Sequence, residues 1–194
     1  MSPSKPNRTV TANEILVATL TMAEGLGWSR VRLHTIAEEL GISLKTLYEI
    51  FSDQNAVADA WFHTGLHAML EPTDKAFSDL PPKDRLHLIT MRWFDALAEH
   101  REVTVEMLRA KLHPPHAHHW GPLVFSLSHL VQWIREAALL SAEGRRRQLE
   151  EIGLTSLLLA TIAVWARDNT ENQERTRRFL RCGLAGADCF LSRT

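Results

Sequence analysis

The sequence predicts an all-α protein with a three-helix helix-turn-helix head followed by a helical bundle. Two observations carry that expectation. Every long segment repeats its apolar residues at helical spacing, and none sustains the alternation of a strand. Capping residues and stop glycines also bracket those segments where helices should begin and end. With 45% hydrophobic residues in 194, the chain has ample apolar surface for a core.

Residues 1–10 read as a flexible arm, 11–53 as the helix-turn-helix unit and 54–194 as the bundle. Thr11-x-x-Glu14 is a capping pattern and opens the first helix. That helix carries Ile15, Leu16, Thr19, Leu20 and Ala23 on one side and stops at Gly25 or Gly27. Leu33–Leu40 makes a second helix, halted by Gly41, and Ser43 can cap a third over Leu44–Phe51. A fourth begins near Asp53 and runs to about Phe77. Leu80-Pro81-Pro82 is a break before an amphipathic helix over Lys83–His100, and a shorter helix follows to about Leu112. The loop His113–His119 precedes two long apolar helices, about Leu123–Leu140 and Gln148–Arg167. Asn169 or Thr170 can cap a last helix reaching Leu191. The chain has no internal repeat and no low-complexity tract.

Bulk properties exclude several classes. The formal net charge is −1, unlike that of a generally polyanion-binding chain. No apolar run reaches the roughly 18 residues of a membrane span, Gly153–Ala166 being too short. The polar start MSPSKPNRTV lacks the apolar stretch of a secretory signal, so the cytoplasm is the expected compartment. Cys182 and Cys189 lie two turns apart on one helix, roughly 10 Å, which is too far to bridge within it. They read as two small hydrophobes. There is no glycine-rich phosphate loop, nucleophile elbow or zinc-protease signature, so neither an enzyme nor a cofactor is expected. Asp168 and Glu171 fall at a helix junction, where capping accounts for them. The basic groups Arg145–Arg147 and Arg175, Arg177, Arg178 and Arg181 read as solvated faces or salt-bridge partners.

In the head, Ile15, Ile36, Ala37, Leu40, Ile42, Leu47 and Phe51 suit a small shared core. That leaves Leu44, Lys45, Thr46, Tyr48 and Glu49 facing outward on the third helix. A helix so presented can enter the DNA major groove. Lys45 can pair with a phosphate, Thr46 can contact phosphate or base, and Tyr48 can hydrogen-bond the DNA backbone. Arg32, His34, Ser43 and Leu44 complete the candidate DNA contacts. Through residue 60 there are five basic residues against seven acidic ones, a balance of −2. Local placement, not net charge, must therefore carry any DNA contact.

IAEELGISLKTLYEIF at Ile36–Phe51, with GLGW at Gly25–Trp28 closing the preceding helix, resembles the TetR family of one-component transcriptional repressors. The match covers about a quarter of the chain. It implies a DNA-binding head, a variable C-terminal bundle for ligand and dimerisation, and a homodimer. Three positions depart from the family pattern. Ile50 stands where Tyr or His is usual, Gln54 where Lys is usual, and Arg32 where a Ser or Thr cap is usual. These departures imply weaker or more selective operator binding. VWARDNTENQERTRRFLRCGL at Val164–Leu184, with HPPHAHHW at His113–Trp120, is similar to the TetR-fold lipid-binding proteins of ubiquinone biosynthesis. That resemblance implies the alternative of a lipid or isoprenoid carrier that does not bind DNA.

The bundle's large apolar groups usually mean core, but together they also suit a cavity for an apolar effector. Trp93, Met107, Trp120, Phe125, His129, Trp133 and Trp165 are its candidate lining. His113, His116, His118 and His119 could in principle offer imidazoles to a metal, but no neighbouring Cys or Asp completes a recognisable spacing. The loop reads as a polar closure, and no metal is expected. The sequence thus leads to a homodimer joined through the two apolar helices between Leu123 and Arg167, bound to a palindromic double-stranded DNA operator. An apolar small molecule in the bundle would shift the spacing of the two heads and release the DNA.

Overall fold

The first helix, α1 (Ala12–Leu26), opens on a reciprocal capping box. The Glu14 amide donates to Thr11 Oγ1 at 3.2 Å, and the Thr11 amide donates to the Glu14 carboxylate at 2.8 Å. α1 buries the five residues its periodicity marks and ends at Gly27, whose φ of 83° suits a residue without a Cβ. A 3-10 turn (Trp28–Arg30) leads into α2 (Leu33–Leu40), α3 (Leu44–Ile50) and α4 (Gln54–Leu70). The later helices are α5 (Pro82–Leu97), α6 (Arg101–Leu112), α7 (Trp120–Ala137), α8 (Gly144–Trp165) and α9 (Glu174–Leu191). This computed structural model describes residues 10–112 and 120–191, with side chains left out at 112, 120–126 and 187–191. Among the described residues there are nine α-helices and no strand.

Several boundaries differ from the sequence expectation for identifiable reasons. α4 stops at Leu70, short of Phe77, because Pro72 has no amide and disfavours helical geometry in the residue before it. A 3-10 turn over Lys75–Asp79 follows, with Asp74 accepting from the Phe77 amide at 3.0 Å. Pro82 is the first residue of α5, where a missing amide is harmless. α8 begins four residues before the expected Gln148. Its early start is supported by Arg146 to Glu150 at 3.5 Å and Arg147 to Glu151 at 2.8 Å, one turn apart.

The helices fall into two compact units. One holds the chain through Thr64 together with His100–Ala110; the other holds Gly65–Glu99 and Lys111–Thr194. Within the first, Ile15, Leu20, Ile36, Ala37, Leu47 and Phe51 are buried, while Leu40 and Ile42 are half-buried. Residues of α6 belong to this unit. Glu106 accepts from the Trp28 amide at 2.5 Å, and Thr104 Oγ1 accepts from the Trp61 indole at 2.7 Å. Buried polar groups of this kind hold a small core in one arrangement because each has its partner.

In the second unit α9 packs against α5 and α8, while α7 packs against α8 and α5. Phe94 lies 5.1 Å from Trp93 and 5.4 Å from Trp165, ring centre to ring centre. The Trp165 indole donates to Gln173, and the Gln173 amide donates to Asp95, so this aromatic core is tied to the start of α9. Asp168 is the junction between α8 and α9. Its buried carboxylate accepts from the amides and hydroxyls of both Thr170 and Thr176 at 2.6–3.0 Å. Burial alone would push its pKa up, but those four bonds outweigh it and hold the carboxyl down at about 2.

The outer side of α8 is the main departure from a closed core. Leu158, Thr161 and Trp165 are buried on one side, yet Leu149 and Ile152 are each 64% exposed and Leu159 is 46% exposed on the other. At 22 residues α8 is long and apolar enough to cross a bilayer by length and composition. Its inner face packs on α7 and α9, and its first turn carries three arginines.

Candidate nucleic-acid interface

The interface is built around the turn between α2 and α3. Gly41 takes the left-handed conformation, φ 67° and ψ 29°, which a β-carbon would disfavour. The Ile42 amide then donates back to the Ala37 carbonyl at 2.9 Å, closing α2 with the usual left-handed end. Ser43 caps α3, its Oγ accepting from the Thr46 amide at 3.0 Å and lying 2.9 Å from Thr46 Oγ1. Leu47 and Phe51 anchor α3 inward. The opposite face is therefore fixed by the helix itself, and it presents Leu44, Lys45, Tyr48 and Glu49 to solvent.

The seven candidate contacts do not occupy equivalent positions. Lys45 and Tyr48 are exposed on α3, with the Lys45 side chain 85% accessible. Lys45 Nζ sits 3.9 Å from the Glu49 carboxylate, a loose surface pair that leaves the ammonium available. Leu44 is exposed and apolar, suited to the methyl group of a thymine. Ser43 is exposed, whereas Thr46 is half-buried and shares its hydroxyl with Ser43, so the two act together. His34 is exposed on α2. Arg32 precedes α2 but makes no side-chain cap; its guanidinium donates to the Ser29 and Val31 carbonyls at 2.9 and 3.0 Å. Glu38 and Glu39 are exposed on α2, so the cationic groups near the turn stand beside carboxylates.

Two supporting residues carry no signal of their role in the sequence. Gln54 donates from its amide to the Trp28 carbonyl at 2.8 Å, while Glu106 holds the Trp28 amide. Together they hold the backbone amide and carbonyl of one buried tryptophan, the first residue of the 3-10 turn before α2. Nothing local in the sequence could have paired residues 26 and 78 positions apart. His100 adds a further tie from the turn before α6, its Nδ1 lying 2.7 Å from Glu24.

The candidate effector residues are scattered. Trp93 and Trp165 are buried in the second unit, and Met107 is buried in the first. His129 is exposed and Trp133 is 40% exposed on α7. The side chains of Trp120 and Phe125, and the whole His113–His119 loop, lie outside the described residues. A cleft of about 630 Å³ opens in the second unit between the start of α5, the α7–α8 turn, α8 and α9; none of the five described candidates lines it. Among the described residues, no group of three His, Cys, Asp or Glu side chains is placed to hold a metal ion.

Solved structures share this architecture. A TetR transcriptional regulator from Nitrosomonas europaea is 37% identical over 91% of this chain and 97% of its own, with a TM-score of 0.79. A TetR transcriptional regulator from Rhodococcus sp. RHA1 matches at a TM-score of 0.62 over 89% of this chain and 93% of its own. At 16% identity that second likeness concerns the fold. No protein-family model and no curated protein matches the chain.

Proposed function

The chain belongs to the TetR family of transcriptional regulators, and from that premise we propose that it is a ligand-responsive repressor that binds a palindromic operator as a homodimer. Residues 11–53 read the DNA, and the helices from residue 54 onward bind the effector and dimerise. The observation that carries the reading is the outward face of α3. A capped two-turn helix, anchored through Leu47, presents Lys45 and Tyr48 with no buried role to explain them. Lys45 would meet a phosphate, Tyr48 a phosphate or sugar oxygen, and Leu44 a base edge. The relative from Nitrosomonas europaea is described as a regulator, which favours this reading over the lipid-carrier alternative.

Dimerisation supplies the second half-site. The exposed apolar side of α8 is too extensive to be a scatter of single surface hydrophobes, and a matching helix from a second copy would cover it. Two heads held by a two-fold axis read half-sites about one DNA turn apart. An effector favouring a different head spacing lowers operator affinity by its differential affinity for the two states. The expected compartment is the cytoplasm, where the DNA is.

The test is a mobility shift on the DNA upstream of the protein's own coding sequence, repeated over a salt series. A regulator gives a discrete shifted species whose affinity falls steeply with salt. No shift at low salt, with lipid co-purifying with the protein, would refute the repressor reading.

A further inference from the structure

The link that carries the chain from α1 into α2 is short and only partly regular. Gly27 has a φ of 83°, Trp28–Arg30 make a single 3-10 turn, and Val31 and Arg32 are extended. Two extended residues before a helix are a place where that helix can pivot. The direction of α2 also sets that of α3, because the Ile42 amide bonds the Ala37 carbonyl across the tight turn at Gly41. Whatever holds the link therefore holds the α2–α3 pair.

Three ties run from α6 and the turn before it to the rest of the first unit. His100 Nδ1 lies 2.7 Å from Glu24 near the end of α1, and Thr104 Oγ1 accepts from the Trp61 indole of α4 at 2.7 Å. The third is the Glu106 carboxylate, which accepts from the Trp28 amide at 2.5 Å and lies against Gly27. Of the three, it alone meets the link into α2. A carboxylate acceptor makes this a charge-assisted bond, about twice as strong as a neutral one. Trp28 is buried, so without Glu106 its amide would be left unsatisfied away from water. Gln54 holds the carbonyl of the same residue at 2.8 Å, so Trp28 is fixed from α4 and from α6 together.

We infer that Glu106 is the positioning residue that sets the pose of the α2–α3 pair, and with it how strictly the two proposed DNA heads require one half-site spacing. A head fixed to α6 loses contacts on a misspaced operator. A loosened head can pivot to reach it, but binds the correctly spaced operator more weakly because it must be ordered on binding. The hold on Trp28 stands on the geometry of the first unit, and the spacing consequence rests on the repressor reading.

The test uses the full chain and four variants. Glu106→Leu removes the acceptor, Glu106→Asp keeps the charge but is one carbon short, and Glu106→Gln keeps an oxygen in place. Thr104→Val cuts the neighbouring tie to Trp61 and serves as the control. Hydrogen exchange is measured first, without DNA. The Leu and Asp variants should exchange at least about tenfold faster over residues 28–50 while α5 keeps its native rates. The Gln variant and Thr104→Val should stay close to native over the same residues. Anisotropy then compares the upstream DNA segment that the native chain shifts with the same segment carrying one base pair inserted at its centre. The insertion should weaken native binding at least about tenfold, and the Leu and Asp variants should bring the two DNAs to within about threefold. Glu106→Gln should restore the native ratio.

Unchanged exchange over residues 28–50 in both the Leu and Asp variants overturns the inference. So does an equal rise throughout α1 and α5, which marks a general loss of stability. A native spacing ratio in variants whose exchange has risen assigns Glu106 a merely structural role and overturns it as well. If Glu106→Leu does not fold, Glu106→Asp carries the same comparison. If the native chain shifts no DNA, the repressor reading falls and the spacing consequence with it, and the exchange result alone decides the hold of Glu106 on the α2–α3 pair.

Discussion

Lys45→Ala separates the proposed DNA role of α3 from its structural role. The side chain is 85% exposed, and its ionic partner Glu49 is 3.9 Å away and 62% exposed. Its loss should therefore change folding stability by no more than about 0.5 kcal/mol, the usual range for surface substitutions. Its effect on DNA should be much larger. One phosphate contact contributes about 0.9 to the slope of log K against log salt, so two protomers contribute about 1.8. At 0.15 M salt, extrapolated from 1 M, that slope change corresponds to roughly 30-fold weaker binding. The assay is fluorescence anisotropy on operator and on unrelated DNA over a series of salt concentrations, beside a thermal melt. Weakening should appear on both DNAs, because a phosphate contact carries no sequence information. An unchanged salt slope at unchanged stability would show that α3 does not face the DNA backbone through Lys45, and the assignment of this face would fall.

Three further outcomes test the rest of the molecule. Ile152→Glu with Leu159→Glu places charge on the exposed apolar side of α8 and should convert a dimer to a monomer in light scattering; an unchanged mass would move the dimer contact elsewhere. Asp168→Ala removes four hydrogen bonds at a buried carboxylate and should cost about 2–4 kcal/mol, read by chemical denaturation. Because the pKa of Asp168 is held at about 2, below its ordinary 3.8, its stabilisation is complete above that ordinary value and is lost as pH falls through about 2; the Ala variant should lack this acid-sensitive component. His87 has its pKa lowered, first by burial and then by Arg181 and Arg177, against the raising effect of its bond to the Arg177 carbonyl. Its neutral form is favoured in the fold, so its contribution is present above 6.5 and lost as pH falls below that value; His87→Gln should flatten the dependence of melting temperature on pH across that value, and an undiminished slope would place the titration elsewhere.

Local patterns are legible where the energy is local. The Thr11 capping box, the left-handed end at Gly41 and the Ser43 cap each depend on residues three or four apart, and the structure forms all three. The inward set of the head is legible for the same reason, since helical period alone decides which side Ile36 and Leu47 take. Contacts between distant segments are not. Gln54 reads in the sequence only as a departure from a family pattern, yet its amide holds the Trp28 carbonyl. Arg32 stands where a cap is usual, and its guanidinium instead turns back on two carbonyls of the preceding segment. The start of α8 is hidden because the arginine run carries no capping signal, and its pairing with the glutamates one turn later shows only in the structure.

The aromatic residues of the bundle show why a ligand site is harder to read than a fold. A tryptophan at helical spacing satisfies the same pattern whether it fills a core or lines a void. What distinguishes Trp165 is a hydrogen bond to Gln173 and a ring contact with Phe94, both consequences of how α5, α8 and α9 meet. The leucine cleft poses the opposite difficulty. Leucines give no chemical signal in a sequence, and the cations beside them come from α5 and from α8, which are far apart along the chain. Only the packing brings Lys83, Arg85, Arg146 and Glu150 beside one apolar space. The proposed DNA face escapes that difficulty because a single two-turn helix carries its central residues. In this chain the face proposed to read DNA is encoded locally, and any site that would sense a ligand is encoded by assembly.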